Sequence, residues 1–140
     1  MSIESLLRRP VCMLPPEATC QEAAQVMRDE GVGSVVVAEE ARPLGIVTDR
    51  DLVLRVMAAG REAGKTRLRE VMSAQPVFLA KERGFDQLLA TMRQQGVRRV
   101  PVVDEAGRLE GVVSLDDLLP LLADQLGELA EAIRGELAMP

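Results

Sequence analysis

The chain has 140 residues, 47% of them hydrophobic and 28% charged, which excludes both a disordered chain and a membrane-embedded one and leaves enough length to bury a core. A net charge of -5, with Phe78 and Phe85 the only aromatic residues, argues against a nucleic-acid surface. The absence of histidine excludes His-dependent acid–base chemistry, the usual serine triads and most zinc sites.

At the start, Met1 to Pro10 carries arginines with no apolar run behind them, so no signal peptide is expected. The longest apolar stretches, such as Leu118 to Ala123, fall far short of a membrane span. Cys12 and Cys20 form no CxxC pair, and they are expected as reduced thiols in a cytoplasmic protein. A short strand, Val11 to Leu14, leads through polar residues into an amphipathic helix with Ala23, Val26 and Met27 on its apolar side. Gly31 stands where that helix should end with positive φ. Two β-rich runs follow, Val35 to Ala38 and Ile46-Val47, joined by a turn expected at Arg42-Pro43-Leu44-Gly45. A second helix is expected over Asp51 to Ala59.

The same order then returns. Met27-Arg28 with Gly31-Val32 recurs as Met92-Arg93 with Gly96-Val97, and Gly31 to Gly96 is a step of 65 residues. The second unit offers a strand at Val77 to Leu79, a helix with Leu88, Leu89 and Met92, and β runs at Val100 to Val103 and Leu109 to Val113. A turn at Asp104-Glu105-Ala106-Gly107 joins those runs, and a helix follows from Asp116. The pattern is β-α-β-β-α, twice. Units near sixty residues are marginal alone, so the two sheets are expected to pack on each other with a pseudo-twofold relation and a cleft between matching corners.

Those corners are the most specific feature of the chain. Gly45-Ile46-Val47-Thr48-Asp49-Arg50-Asp51 returns as Gly111-Val112-Val113-Ser114-Leu115-Asp116-Asp117. Each reads as a buried strand, a hydroxyl, then acidic residues opening a helix. One reading is a capped helix start, since hydroxyls and carboxylates there accept from the free first-turn N–H groups. The other is a seat for a ligand's sugar and phosphate. Capping needs one acceptor, whereas Thr48 with Asp51 and Ser114 with Asp117 offer two per corner. Arg98-Arg99, before the second unit's β run, reads either as a phosphate clamp or as a solvated strand end. Ala59 to Thr66 loosely resembles a phosphate loop, but a helix rather than a strand precedes it, and it is read as a linker. Leu122, Leu126, Leu129, Ala130, Ile133 and Leu137 give the tail one apolar helical face, with Pro120 expected to kink its entry. The acidic other face argues against a membrane anchor and for a core or dimer contact.

Gly45 to Leu52 and Arg99-Val100-Pro101-Val102-Val103-Asp104 resemble the motifs of CBS domains, and the paired repeat, over roughly Leu6 to Leu126, resembles a CBS pair or Bateman module. The resemblance implies an α/β (α+β) fold of two tandem repeats packed sheet to sheet, often dimerising into a disc. It also implies an adenosine-containing ligand, of the AMP, ADP, ATP or S-adenosylmethionine class, as a regulatory ligand with no cofactor required. By the same resemblance Asp51 and Asp117 hold ribose hydroxyls, and Thr48 and Ser114 lie near phosphates. Val32, Gly33 and Ser34, with Val97, Arg98 and Arg99, line the adenine slot. The chain departs from the family at Val36, where Pro is usual and where the second unit keeps Pro101. It departs again where Asp116 replaces Arg50, so that unless Arg98 or Arg99 offsets the repulsion the Asp51 corner is the better nucleotide site.

The expected organisation is a first repeat over 1-62, a linker over 63-69, a second repeat over 70-126 and a helical tail over 127-140. The expected function is a non-enzymatic regulatory module, homodimeric, that signals to an effector protein not named by the sequence, with no nucleic-acid or membrane partner. The rival is a ligand-free dimerisation or adaptor module whose motif carboxylates only cap helices. A nucleotide-using enzyme, recognisable by turnover of bound nucleotide, is the third.

Overall fold

A computed structural model describes residues 3–7, 11–74 and 77–138. Residues 1, 2, 8–10, 75, 76, 139 and 140, which include the outer limits of the first unit and the tail, lie outside the described residues. A 3-10 turn at Ile3–Leu6 precedes β1 (Met13–Leu14), α1 (Cys20–Glu30), β2 (Ser34–Glu39), β3 (Arg42–Thr48) and α2 (Asp49–Leu52). A π-helical segment, Val53–Met57, continues α2. After it come α3 (Leu68–Val71), β4 (Ser73–Ala74), β5 (Leu79–Ala80), α4 (Phe85–Gln95), β6 (Arg99–Val103), β7 (Leu109–Ser114) and α5 (Leu115–Ala138). The doubled β-α-β-β-α order is present, with two sheets in the orders β1-β2-β3-β4 and β5-β6-β7.

The repeat extends to fine detail. In each sheet the two-residue first strand runs parallel to the second, and the second and third pair antiparallel. Register shifts fall between Val37 and Ala38 and again between Val102 and Val103, one repeat on. Helix α1 opens with a capping box, Thr19 Oγ1 accepting from Glu22 N (3.1 Å) and Glu22 Oε2 from Thr19 N (3.0 Å). Both α1 and α4 end on a left-handed glycine, Gly31 (φ 66°) and Gly96 (φ 64°), whose N–H reaches back to Met27 O and Met92 O.

Several boundaries differ from the sequence expectation. The first strands are shorter, because the parallel ladder takes only Met13–Leu14 and Leu79–Ala80. In the first sheet Val36 N also donates to Cys12 O (2.9 Å), a bond that Pro101 at the matching place has no N–H to make. The first hairpin turns earlier than expected, at Glu40 and Ala41 with φ 51° and 63°, so Arg42 to Gly45 belong to β3. Two positive φ angles give the hairpin turn whose twist matches its strands. The Ala41 carbonyl is engaged by Leu109 N of the second unit (2.7 Å). Helix α5 carries Pro120 in its second turn without ending, and runs unbroken across the expected boundary between residues 126 and 127.

The largest departure concerns the expected linker, 63–69. It holds a 3-10 turn at Ala63–Lys65 and the start of α3, and Leu68 within it is fully buried. Leu68 and Val71 pack against Ala23, Met27, Val35, Val37 and Val47 of the first unit. Ile3 and Leu6, the residues 65 positions earlier, pack against Leu88, Met92, Val100, Val102 and Val113 of the second. Each core is thus closed by the short helical turn that leads into the other repeat. Backbone bonds fix the crossing on one side: Cys20 N to Thr66 O (2.9 Å) and Leu68 N to Ala18 O (2.8 Å). Polarity alone made this stretch read as linker, because one buried leucine among charged residues carries no period.

Strand β4 follows α3 across the same border and pairs with β3, Gly45 opposite Ala74 and Ile46 opposite Ser73. This accounts for the motif's first glycine. A Cβ at Gly45 would meet the Ser73 carbonyl oxygen at 2.7 Å, closer than side-chain carbons come to backbone. Gly45→Ala should therefore push β4 outward and cost about 1–3 kcal/mol. Denaturant unfolding of this variant beside Gly127→Ala, where nothing lies within 4 Å, measures the difference.

Candidate functional site

The repeated corners form at the ends of β3 and β7, where each chain leaves a sheet and enters a helix. In both, the first helical amide is tied back to the segment before the unit's middle strand: Asp49 N donates to Gly33 O (3.0 Å) and Leu115 N to Arg98 O (2.8 Å). Corner and pre-strand segment are thereby held beside each other in each unit. The two units then face one another so that each corner meets the other unit's segment.

Two cavities result, matched by the repeat. One brings the corner Thr48, Asp49, Arg50 and Asp51 together with Gly96, Val97, Arg98, Arg99 and Pro101 of the second unit, with Ile46, Ser73 and Val77 completing the wall; its volume is about 360 Å³. The other brings Ser114, Asp116 and Asp117 together with Gly31, Val32, Gly33 and Ser34 of the first unit, with Val11, Cys12, Val36 and Val112, and measures about 170 Å³. Arg99 lines both. Every candidate residue from the sequence thus lies on one of these walls. The sequence reading missed Asp49, Ser73 and Cys12; Asp49 sat inside the motif itself, but the hydroxyl and the second carboxylate already accounted for the corner.

The cavities differ in size and charge. Roughly 300–1,000 Å³ is usual for a small-molecule site, so the first falls within that range and the second below it. The first carries Arg50, Arg98 and Arg99 against Asp49 and Asp51; the second carries Arg99 against Asp116 and Asp117. An anionic group therefore meets more arginines than carboxylates along the first wall and fewer along the second, with Arg99 common to both. Arg98 does offset part of the second corner's charge, since its Nη2 donates to Asp116 Oδ1 at 2.6 Å. The pair is more than half exposed, so it contributes about 0–1 kcal/mol.

The corners also differ in what their side chains already do. Thr48 Oγ1 accepts from Asp51 N (3.1 Å) and Asp51 Oδ2 accepts from Thr48 N (2.9 Å), a complete capping box. This corrects the inference that two acceptors exceed the needs of a cap, because both are used by it. Asp51 Oδ1 is not used by that box and lies 3.9 Å from Arg55 Nε, and Asp51 is among the residues lining the cavity. At the second corner Ser114 Oγ accepts instead from Asp116 N (3.2 Å). Glycine at position 33 keeps the border open, because a Cβ there would sit 3.2 Å from Arg99 Nη2 and 3.3 Å from Asp49 Oδ2. In the second cavity, burial, and then the nearby Glu30 carboxylate, raise the pKa of the Cys12 thiol, which keeps it protonated and weakly nucleophilic at neutral pH.

Residues 3–58 and 68–124 each match the CBS domain. The chain is 33% identical to the uncharacterized protein MK0525 of Methanopyrus kandleri over 98% of its own length and 72% of that protein's. It is 37% identical to the CBS domain-containing protein YhcV of Bacillus subtilis, covering 84% of this chain and 82% of YhcV. Among solved structures it superposes on the CBS domain protein PAE2072 from Pyrobaculum aerophilum complexed with AMP, with a TM-score of 0.77 and 29% identity, covering 84% of this chain and 90% of that one. No helix among the described residues is long and apolar enough to cross a membrane.

Proposed function

The chain belongs to the CBS-domain family as two tandem copies, and on that premise we propose that it is a non-enzymatic regulatory module binding an adenosine-containing ligand in the Thr48–Asp51 cavity. The observation that carries this is the pairing of size with charge: of the two matched cavities, this one has both the volume for such a ligand and the arginines for its phosphate. Asp51 Oδ1 would accept from the ribose hydroxyls, and Arg98 and Arg99 would hold phosphate oxygens through their planar forks. The base would lie against the aliphatic wall of Val97, Pro101 and Ile46, since no aromatic ring is among the described lining residues. The AMP complex of PAE2072 supports the class of ligand. Free Cys12 and Cys20 suit a reducing, cytoplasmic setting, and an effector protein would read the bound state.

One observation favours a second reading. The complete capping box at Thr48 and Asp51 gives the motif a structural use that needs no ligand, as an adaptor module would have. A thermal-shift panel with AMP, ADP, ATP and S-adenosylmethionine separates the two. The regulatory reading expects the melting temperature to rise with at least one of them, by mass action. A flat panel at millimolar ligand would leave the adaptor reading standing.

A further inference from the structure

Beyond residue 124, where the second family match ends, α5 continues to Ala138. From Leu126 to Gly135 every residue is exposed except half-buried Ala130. Leu126, Leu129 and Ile133 are 66%, 58% and 50% exposed, and Leu119, nearer the body of the protein, is 56% exposed. A helical extension of this length is marginal in water when it packs on nothing, and Gly127 and Gly135 weaken it further. Something outside the described residues must cover it for the helix to persist.

The spacing identifies the cover. Leu119, Leu122, Leu126, Leu129 and Ile133 follow one another at intervals of three and four, the a and d positions of two consecutive heptads. The flanking positions, where a coiled coil places its selecting charges, hold Ala123, Gln125, Ala130 and Ala132. Asp124, Glu128 and Glu131 fall on the opposite side of the helix. An identical helix laid along the seam therefore meets no like charge, and small alanines let the two backbones approach. A basic partner would find its acidic counterparts turned away, and an anionic lipid surface would meet an acidic helix.

We propose that α5, from Leu119 to Ile133, pairs with the same segment of a second copy of this chain, along the Leu119–Leu122–Leu126–Leu129–Ile133 seam. The contact is isologous, so it closes as a twofold pair. Leu126, Leu129 and Ile133 lie beyond the residues matched to the CBS domain, and Leu119 and Leu122 lie within them. The test is sedimentation equilibrium of the full chain over a wide concentration range. It compares wild type, Leu126→Asp/Ile133→Asp, and the outer-face variant Glu128→Gln/Glu131→Gln. Because a symmetric pair loses each side chain twice, the seam variant should associate at least about a hundredfold more weakly. Its far-UV helicity should fall, while the outer-face variant associates as wild type does. A wild type that stays monomeric at every concentration, or a seam variant that associates as tightly as wild type, would overturn the proposal. A seam variant that fails to fold would overturn it as well, since these side chains would then belong to the chain's own core.

Discussion

Leu68→Ala should destabilise the protein by about 2–5 kcal/mol, a large share of the roughly 5–15 kcal/mol that holds a domain folded. The residue lies within the second family match but is fully buried in the first unit's core, beside Ala23, Met27, Val35 and Val47. Truncation removes three carbons from a close-packed site whose walls come from α1 and both hairpin strands, so little can collapse into the space. Ile3→Ala should act in the same way on the second core, through Leu88, Val100 and Val113. The exposed neighbour Arg69→Ala supplies the comparison and should change stability far less. Urea unfolding of all three variants tests the crossing directly. A loss below about 1 kcal/mol for Leu68→Ala would mean that α3 does not close the first core. The same crossing implies that a fragment ending near residue 62 keeps β1 to β3 but lacks β4, Leu68 and Val71, and should not fold cooperatively alone.

Asp51→Asn should lower affinity for an adenosine ligand about tenfold to a hundredfold while leaving stability nearly unchanged. Asparagine retains an oxygen that can accept from Thr48 N, so the capping box survives in outline. It loses the charge, and hydrogen bonds to a charged group are worth about 1.5–3 kcal/mol. Asp51→Ala, in contrast, removes both the cap and the ligand acceptor, and should cost stability as well as affinity. The amide variant therefore separates the two uses of one side chain. If ligand affinity is the same in Asp51→Asn as in wild type, Asp51 serves only the helix.

Much of this architecture was legible in the sequence because two signals repeat. Helical spacing ending on Gly31 and Gly96, and valine-rich runs leading to Thr48 and Ser114, survive as local patterns whatever the tertiary context. The walls of both cavities were legible for the same reason. Three things were not. The crossing of α3 rests on Leu68 and Val71, and two buried side chains among charged residues are too few to leave a period to read. The hairpin at Glu40-Ala41 uses positive φ without glycine or asparagine, so turn composition pointed instead to the Pro-Gly stretch beside it. The difference in size between the cavities arises from how the two units approach each other, and sequence spacing reports order along the chain, not that approach.

The account rests on the Thr48–Asp51 cavity being a ligand site, and titration calorimetry of AMP into the wild-type chain tests this most directly. The expected result is saturable heat at one ligand per chain, strongly weakened by Asp51→Asn and largely retained by Asp117→Asn. Heat lost in Asp117→Asn but kept in Asp51→Asn, or no heat from wild type with any adenosine ligand, would contradict it.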